Sequence, residues 1–580
     1  MLDPRWYIVL SLTFSACRTE STTSIPRQPS PAPSPQPSLA SSAAGIPVMV
    51  TDLSSGQELS GQWMDSAGQL TSVLPPGHYT FAATTNTGFA FFEKELTSSD
   101  HPLIALSSDC ERLHGRVTGT IAFPAVVMMS RISNARGDKF IIPIDRDGGF
   151  AACLPQAGYA ARVDGAMVSL QVPVVVPRDA TIAITVYSAA QVRETPTDIR
   201  VGHSDLPSFA RSLRDHRIVG LGEANHGTAE FCSYRAKLSL ELARVGTLRT
   251  ILLEADAIGM MAIDDYVMGA DVDIAKAVVA LRFWTTDIQE FLAFLADVRT
   301  YNASRPPADK IRVLGVDAQR VDPPVQLLQA HRAELAISEH ESELLSQIVP
   351  DHGAAFPKLS SDDRAALSSL LDRLANPRGQ ANLEGVATRA SVAAHSIRCQ
   401  LGYLGSTEEL RDRAMAELTA YIVELSGTGQ AALWAHDGHI ARQSDYATKS
   451  LGQYLSETFK EAYFPIAFLS YQGQARAWDK PGKIGVIPHD LAPAPSHNVE
   501  SVIMQATRFP DAAWVRVDLT SGPLAHWLSL PRYVREFGAF YDPGDTQILW
   551  MFPAAFAAVV VIQHGHPSTP TPTGVRKITP

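Results

Sequence analysis

The chain has few cysteines, five in 580 residues, too few for a scaffold built on disulfides. It also lacks an excess of positive charge. Against 60 Asp and Glu stand 49 Lys and Arg, for a net charge of −11. With no sustained basic patch, that balance excludes nucleic acid as the main partner. Charged residues make up 19% and apolar residues 45%, as in a globular rather than a disordered protein. Long apolar runs are missing too: the one near the N-terminus, Trp6–Ala16, is too short to cross a bilayer. Several catalytic signatures are also absent. There is no Gly-x-Ser-x-Gly elbow, no His-Glu-x-x-His and no Gly-x-x-x-x-Gly-Lys-Ser/Thr, which argues against a serine hydrolase of the α/β type, a zincin and a P-loop enzyme. Gly220-Leu221-Gly222 begins like a dinucleotide loop, but Asn225 stands at the third glycine position.

The length implies roughly three to four domain-sized units. Residues 1–17 read as an export signal: Arg5 supplies a thin positive region, Trp6–Ala16 the apolar run, and Phe14-Ser15-Ala16-Cys17 a lipobox-like end. Cys17 is then the lipidated first residue of a bacterial envelope lipoprotein, which would meet the membrane through that anchor. Residues 18–44, with Ser-Pro-Ala-Pro-Ser-Pro-Gln-Pro, form an extended tether at about 3.1 Å per residue. Residues 45–109 and 110–190 carry short alternating runs and a repeated unit, Leu74-Pro75-Pro76-Gly77-His78-Tyr79 and Leu154-Pro155-Gln156-Ala157-Gly158-Tyr159. They read as two small β-sandwich modules that resemble carboxypeptidase-regulatory-like domains and act as spacers. Cys110 and Cys153 share this β-rich region, where export would permit them to pair, whereas Cys232 and Cys399 read as buried thiols.

From about residue 194 the pattern becomes α/β. Residues 194–565 read as a hydrolase domain with a mostly parallel sheet and a large helical insertion, and 566–580 as a C-terminal tail. Four apolar runs, Ile218–Leu221, Thr250–Leu253, Ile311–Val316 and Ala431–Ala435, are strands covered on both faces, and each ends in Glu, Asp or His. Ligands of open parallel sheets bind beyond the carboxyl ends of the strands. Glu223, His226, Glu254, Asp317, Gln319, His436 and His439 are therefore expected at one place. Phe231, Leu238 and Leu242 form the buried stripe of a helix capped by Thr228 and ended by Gly246. Arg235 lies on that stripe and needs a carboxylate, from Glu223 or Glu254, or an anionic ligand.

These residues resemble the erythromycin esterase family. The resemblance rests on Gly222-Glu223-Ala224-Asn225-His226-Gly227-Thr228, Arg235, Leu253-Glu254-Ala255, Arg299-x-Tyr301-Asn302, Gly315-x-Asp317-x-Gln319 and Leu433-Trp434-Ala435-His436-Asp437-Gly438-His439, over roughly residues 195–560. The family's usual turn has threonine or serine where Asn225 stands, and its second histidine motif often has asparagine where Asp437 stands. The resemblance implies hydrolysis of an ester or macrolide-like lactone, with His226 as general base. Glu223, Arg235, Glu254, His436 and His439 match its other active-site positions, and Asn225, Asp317 and Gln319 are expected to meet the substrate.

Without an activated Ser or Cys the nucleophile is water. His226, oriented by Glu223 or Glu254, takes its proton, while His436, supported by His439, polarises the carbonyl or protonates the leaving alkoxide. Arg235 holds a carboxylate or stabilises the oxyanion. No cofactor is required on this reading. Two alternatives stay open: a divalent metal bound by Glu223, His226, Glu254, His436 and His439, or a catalytically silent envelope binding protein. An exported enzyme would meet an envelope or extracellular ester rather than a cytoplasmic macrolide.

Overall fold

The computed structural model describes residues 45–572, except 56, 120, 124, 132–138, 165–166, 178, 197–204, 247, 319, 350–355, 376–384, 406–407, 428, 444–448, 480–484, 508–511 and 517–520. The export signal, Cys17, the tether and Gln319 lie outside the described residues. The chain divides at Val192/Arg193 into a β-rich unit and an α/β unit.

In the first unit, strands Gln57–Met64, Ile46–Asp52, Gly77–Thr84 and Phe89–Leu96 form one antiparallel sheet in that order. Val48, Val50 and Phe81 pack against Leu70, Leu74 and Ile104, whose segments are joined by isolated bridges. The covering layer here is irregular chain, where a second sheet was expected. The next segment has two four-stranded sheets. One runs Met167–Ser169, Thr181–Ser188, Glu111–Gly119, Gly149–Leu154, and the other Val172–Val176, Ala157–Asp164, Val126–Arg131, Lys139–Pro143. Leu113, Val117 and Ile184 of one share a core with Val127, Met129, Tyr159 and Val174 of the other. The repeated Leu-Pro unit has a physical purpose. Tyr79 and Tyr159 are buried, and each hydroxyl donates to the carbonyl of the proline four residues back, Pro75 at 3.2 Å and Pro155 at 2.8 Å. A buried phenol needs such an acceptor. Cys110 and Cys153 form a disulfide.

The second unit is built on a nine-stranded sheet. Its main path runs Arg312–Asp317, Leu248–Asp256, Gln430–Trp434, Ile218–Leu221, Tyr463–Asp479, Ala558–Gly565, Ala512–Arg516. All neighbours on this path are parallel except the last pair. Ile218–Leu221 is central: Ile218 is paired with Ala431 on one side and Tyr463 on the other. All four of its residues are buried, as are Leu252, Leu253, Leu433 and Val313 beside them. Layers of helix on both faces account for these uninterrupted apolar strands.

The helix Ala229–Val245 buries Phe231, Leu238 and Leu242 and stops at Gly246, whose N–H returns to the Leu242 carbonyl. Helices Asp322–Ala330, Glu339–Gln347, Ser361–Ala375, Val386–Gly405 and Glu408–Leu425 are inserted between strands Arg312–Asp317 and Gln430–Trp434. Much of that insertion has a separate core around Val325, Leu345, Leu371 and Ile397. The short stretch 566–571, expected as tail, belongs to the α/β unit. Ser568 N–H donates to Gly227 O at 2.9 Å and Ala229 N–H to His566 O at 2.9 Å, so it lies alongside the 227–229 backbone.

Candidate active site

The turn after Ile218–Leu221 is fixed by backbone contacts on several sides. Gly222 and Ala224 N–H donate to Ile466 and Phe468 carbonyls, and Phe537 N–H donates to Ala224 O at 2.8 Å. Gly227 packs so closely that a Cβ there would stand 1.7 Å from the Arg476 carbonyl oxygen, so no other residue fits. Asn225 is 1% exposed, and its Oδ1 accepts from Gly227 N–H (3.1 Å) and the Thr228 hydroxyl (2.9 Å). Through Oδ1 it holds the turn. It also engages the Thr228 hydroxyl that a helix cap would use.

Within this turn His226 Nδ1 lies 2.8 Å from Glu223 Oε1, and Arg235 donates to Glu223 Oε2 at 2.6 Å. Burial alone would raise the Glu223 carboxyl, but the Arg235 guanidinium and the His226 hydrogen bond hold it below its ordinary range. An ionised carboxylate can only accept, so the proton between them sits on Nδ1 and the His226 Nε2 lone pair is left for chemistry. Arg235 stacks on Trp434, 4.9 Å from its centroid, and is committed to Glu223, the carboxylate-holding alternative.

A second polar group surrounds Glu254. Its Oε2 accepts from His436 N–H at 3.0 Å and its Oε1 from Arg411 at 2.9 Å, with His439 Nε2 at 3.4 Å. His439 Nδ1 lies 2.7 Å from Asp412. Burial alone would lower the His439 imidazole, but Asp412 and Glu254 hold it well above its ordinary range. Burial likewise opposes ionisation of Glu254, and His439 and Arg411 overcome it. Arg411 also grips Asp317, from Nε to Oδ1 at 3.1 Å and from NH2 to Oδ2 at 2.8 Å. Asp317 is fully buried and bound in this pair, so the substrate contact expected of it is corrected to an internal one.

His436 lies between the two groups, its ring centroid 5.2 Å from that of His226. The Gly438 N–H, an obligate donor, points at His436 Nδ1 (3.2 Å), which must therefore accept, and the proton resides on Nε2. Nε2 is buried and has no partner. Burial, with the neighbouring His226 and His439, lowers this imidazole to about 3, so it is neutral. Glu536 Oε1 lies 3.5 Å from His436 Nδ1, and Trp550 Nε1 donates to Glu536 Oε2 at 2.7 Å.

Burial pushes Cys232 up to about 12, which makes it an inert structural thiol. Arg299 and Asn302 are structural as well: Arg299 donates to the Tyr266 and Ala270 carbonyls, and Asn302 to those of Val267 and Ile311. Among the described residues no three His, Cys, Asp or Glu side chains are grouped so as to hold a metal ion.

Arg411, Asp412 and the segment Glu536–Gly538 were not found from the sequence. Arg411 had a signal. It heads the buried stripe Met415, Leu418, Ile422, as Arg235 interrupts its own stripe. The irregular segment 536–539 has no period to read.

The fold and site are those of a parallel α/β sheet with paired imidazole–carboxylate groups beyond its strand ends, where ligands of such sheets bind. The model of the erythromycin esterase family matches residues 247–564, and the chain belongs to that family. The turn at 222–228 precedes the matched stretch and is joined to it by the contacts above. Family membership supports a hydrolase acting on esters. Two solved structures share the fold. A Bacillus cereus protein is 20% identical with a TM-score of 0.55, and a succinoglycan biosynthesis protein is 17% identical with a TM-score of 0.53. Each match covers 66% of this chain and 97% of the other. A mutant of erythromycin esterase in its open conformation is 19% identical with a TM-score of 0.48, covering 63% of this chain and 96% of that one.

Proposed function

We propose that this protein hydrolyses a carboxylic ester or lactone with water as the nucleophile and His226 as the general base. The observation that carries the reading is the pair of unengaged ring nitrogens. In the neutral His226 ring the proton sits on Nδ1 towards an ionised Glu223, which leaves the lone pair on Nε2, and the adjacent neutral His436 holds an unpartnered Nε2–H. Water gives its proton to His226 Nε2 as its oxygen attacks the carbonyl carbon. The carbonyl oxygen gains negative charge, and the His436 Nε2–H, already desolvated, donates to it. The tetrahedral intermediate collapses, the C–O bond to the alkoxide breaks, and the proton on His226 passes to the leaving oxygen. The ionised set of His439, Arg411, Glu254, Asp412 and Asp317 anchors the backbone of His436 through Glu254 and touches no reacting atom.

No step runs through a metal, since the carboxylates are engaged by Arg235, Arg411 and His439. Metal analysis of protein purified without chelator, followed by chelation and assay, tests this. The disulfide supports export to an oxidising compartment; the lipid anchor at Cys17 and an envelope ester as substrate are the rest of the proposal. The decisive test is turnover of a panel of esters and lactones by wild type beside His226→Ala. Loss of activity with an unchanged circular dichroism spectrum is expected, and wild-type-like turnover by the variant would sink the mechanism. No turnover of any ester by wild type would favour the silent binding protein.

A further inference from the structure

The catalytic turn and the His436 helix are two walls of the site, and a third comes from the segment after strand Arg532–Arg535. Its three residues approach the site in succession. Glu536 stands beside His436 Nδ1, Phe537 N–H holds the Ala224 carbonyl of the catalytic turn, and Gly538 faces His226. A Cβ built on Gly538 would have one heavy atom within 4 Å, His226 Nε2, at 3.9 Å. That is ordinary van der Waals contact. The Gly538 backbone also lies outside the left-handed region, so neither strain nor crowding by the protein calls for glycine here. What a side chain at 538 would meet is the one atom assigned to proton transfer. Gly538 is partly exposed and so stands where the site opens to solvent, and the His226 side chain is 17% exposed.

We infer that Gly538 is a specificity-determining residue: its missing side chain keeps open the slot at His226 Nε2 in which the hydrolytic water and the ester carbonyl stand. A methyl group at 538 would stand in contact with Nε2 and crowd the approach of the water. A branched side chain would narrow the slot further and slow the entry of carbonyl compounds. The kinetic part of this inference rests on the hydrolase reading, whereas access to Nε2 does not.

The test uses the full chain, with Gly538→Ala and Gly538→Val. Diethyl pyrocarbonate is a small carbonyl electrophile. Imidazole attacks one carbonyl, an N–C bond forms to the ethoxycarbonyl group, and ethanol and carbon dioxide leave. Peptide mass spectrometry then reads labelling at His226 against the other histidines. Wild type is expected to label at His226, Gly538→Ala more slowly, and Gly538→Val at least tenfold more slowly, with melting temperatures close to wild type and other histidines labelled as before. Ester turnover should fall in the same order, mainly in kcat, by roughly a hundredfold for valine, as expected when a reacting group is displaced by about 1 Å. Labelling of His226 in Gly538→Val at the wild-type rate, or absence of label in wild type, overturns the slot. Should valine unfold the protein, the alanine variant decides: unchanged labelling and turnover overturn the inference, and slowed labelling supports it. Slowed labelling in a chain whose wild type hydrolyses no ester keeps the slot and rejects the hydrolase.

Discussion

Replacing Glu223 by glutamine should be more damaging than replacing it by alanine. Arg235 lies 2.6 Å from Glu223 Oε2, and a guanidinium has only donors. In Glu223→Gln the amide oxygen must therefore turn to Arg235, leaving the NH2 group facing His226 Nδ1, now 2.8 Å from Oε1. A donor there forces Nδ1 to accept, and the imidazole proton moves to Nε2. The base then presents a proton where it needs a lone pair. Misdirecting a histidine in this way costs roughly ten-thousandfold in kcat, about 5 kcal/mol of transition-state stabilisation. Glu223→Ala removes the orienting group but imposes no wrong tautomer, so its loss should be nearer a hundredfold, the scale of a displaced catalytic group. Steady-state kinetics on an ester that wild type turns over, with nitrogen-15 NMR of the imidazoles, would read both effects. If the glutamine variant matches or exceeds the alanine variant, or if its His226 still carries the proton on Nδ1, the relay from Arg235 through Glu223 to His226 is wrong.

Arg411→Met should leave Asp317 and Glu254 buried without their cation, costing about 3–5 kcal/mol at neutral pH. Glu254 is depressed in the wild type and so contributes stability above its ordinary value of 4.5 that is lost at lower pH. The deficit of the variant should therefore shrink only as melting curves are taken below pH 4.5. Asp437, fully buried and held well above its ordinary range by burial and by nearby Glu223, should be a neutral acid, so Asp437→Asn is expected to keep kcat and melting temperature close to wild type. A severe loss by calorimetry or assay would mean that Asp437 works ionised. Asp256, raised by burial to about 6 from 3.8, costs stability as pH rises through that interval. Asp256→Asn should therefore gain up to about 3 kcal/mol above pH 6 and little below pH 4, by urea denaturation at both pH values.

The strand ends were legible because a parallel strand buried on both faces must be apolar, and such a run followed by Glu or His stands out. Arg235 was legible by the same contrast, as a charge on a buried stripe. Arg411 sits on an equally clear stripe in Glu408–Leu425, but the residues it serves, Glu254 and Asp317, are far away in the chain, and helical spacing says nothing of partners across the sheet. The inward turn of Asn225 and Asp317 was not legible, because a polar residue after a strand can turn inwards as easily as towards a ligand, and only packing decides. Gly538 and Glu536 could not be read, since their role depends on an irregular segment returning to a turn formed by residues 222–228. The first β module was legible as strands, but not as a single sheet covered by loops.

The central position of Ile218–Leu221 has a consequence for how the protein comes into being. Both its neighbours in the sheet lie far downstream, Ala431 on one side and Tyr463 on the other, and the catalytic turn is finally tied by Phe537 and Ser568. Pairings of such long sequence separation form slowly, after the entropy of closing large loops has been met. The strand that bears His226 is thus made early and must wait for the rest of the chain before it has a partner on either side. Activity should emerge late in refolding, at the same step as the last protected amides, which makes turnover itself a reporter of completed folding.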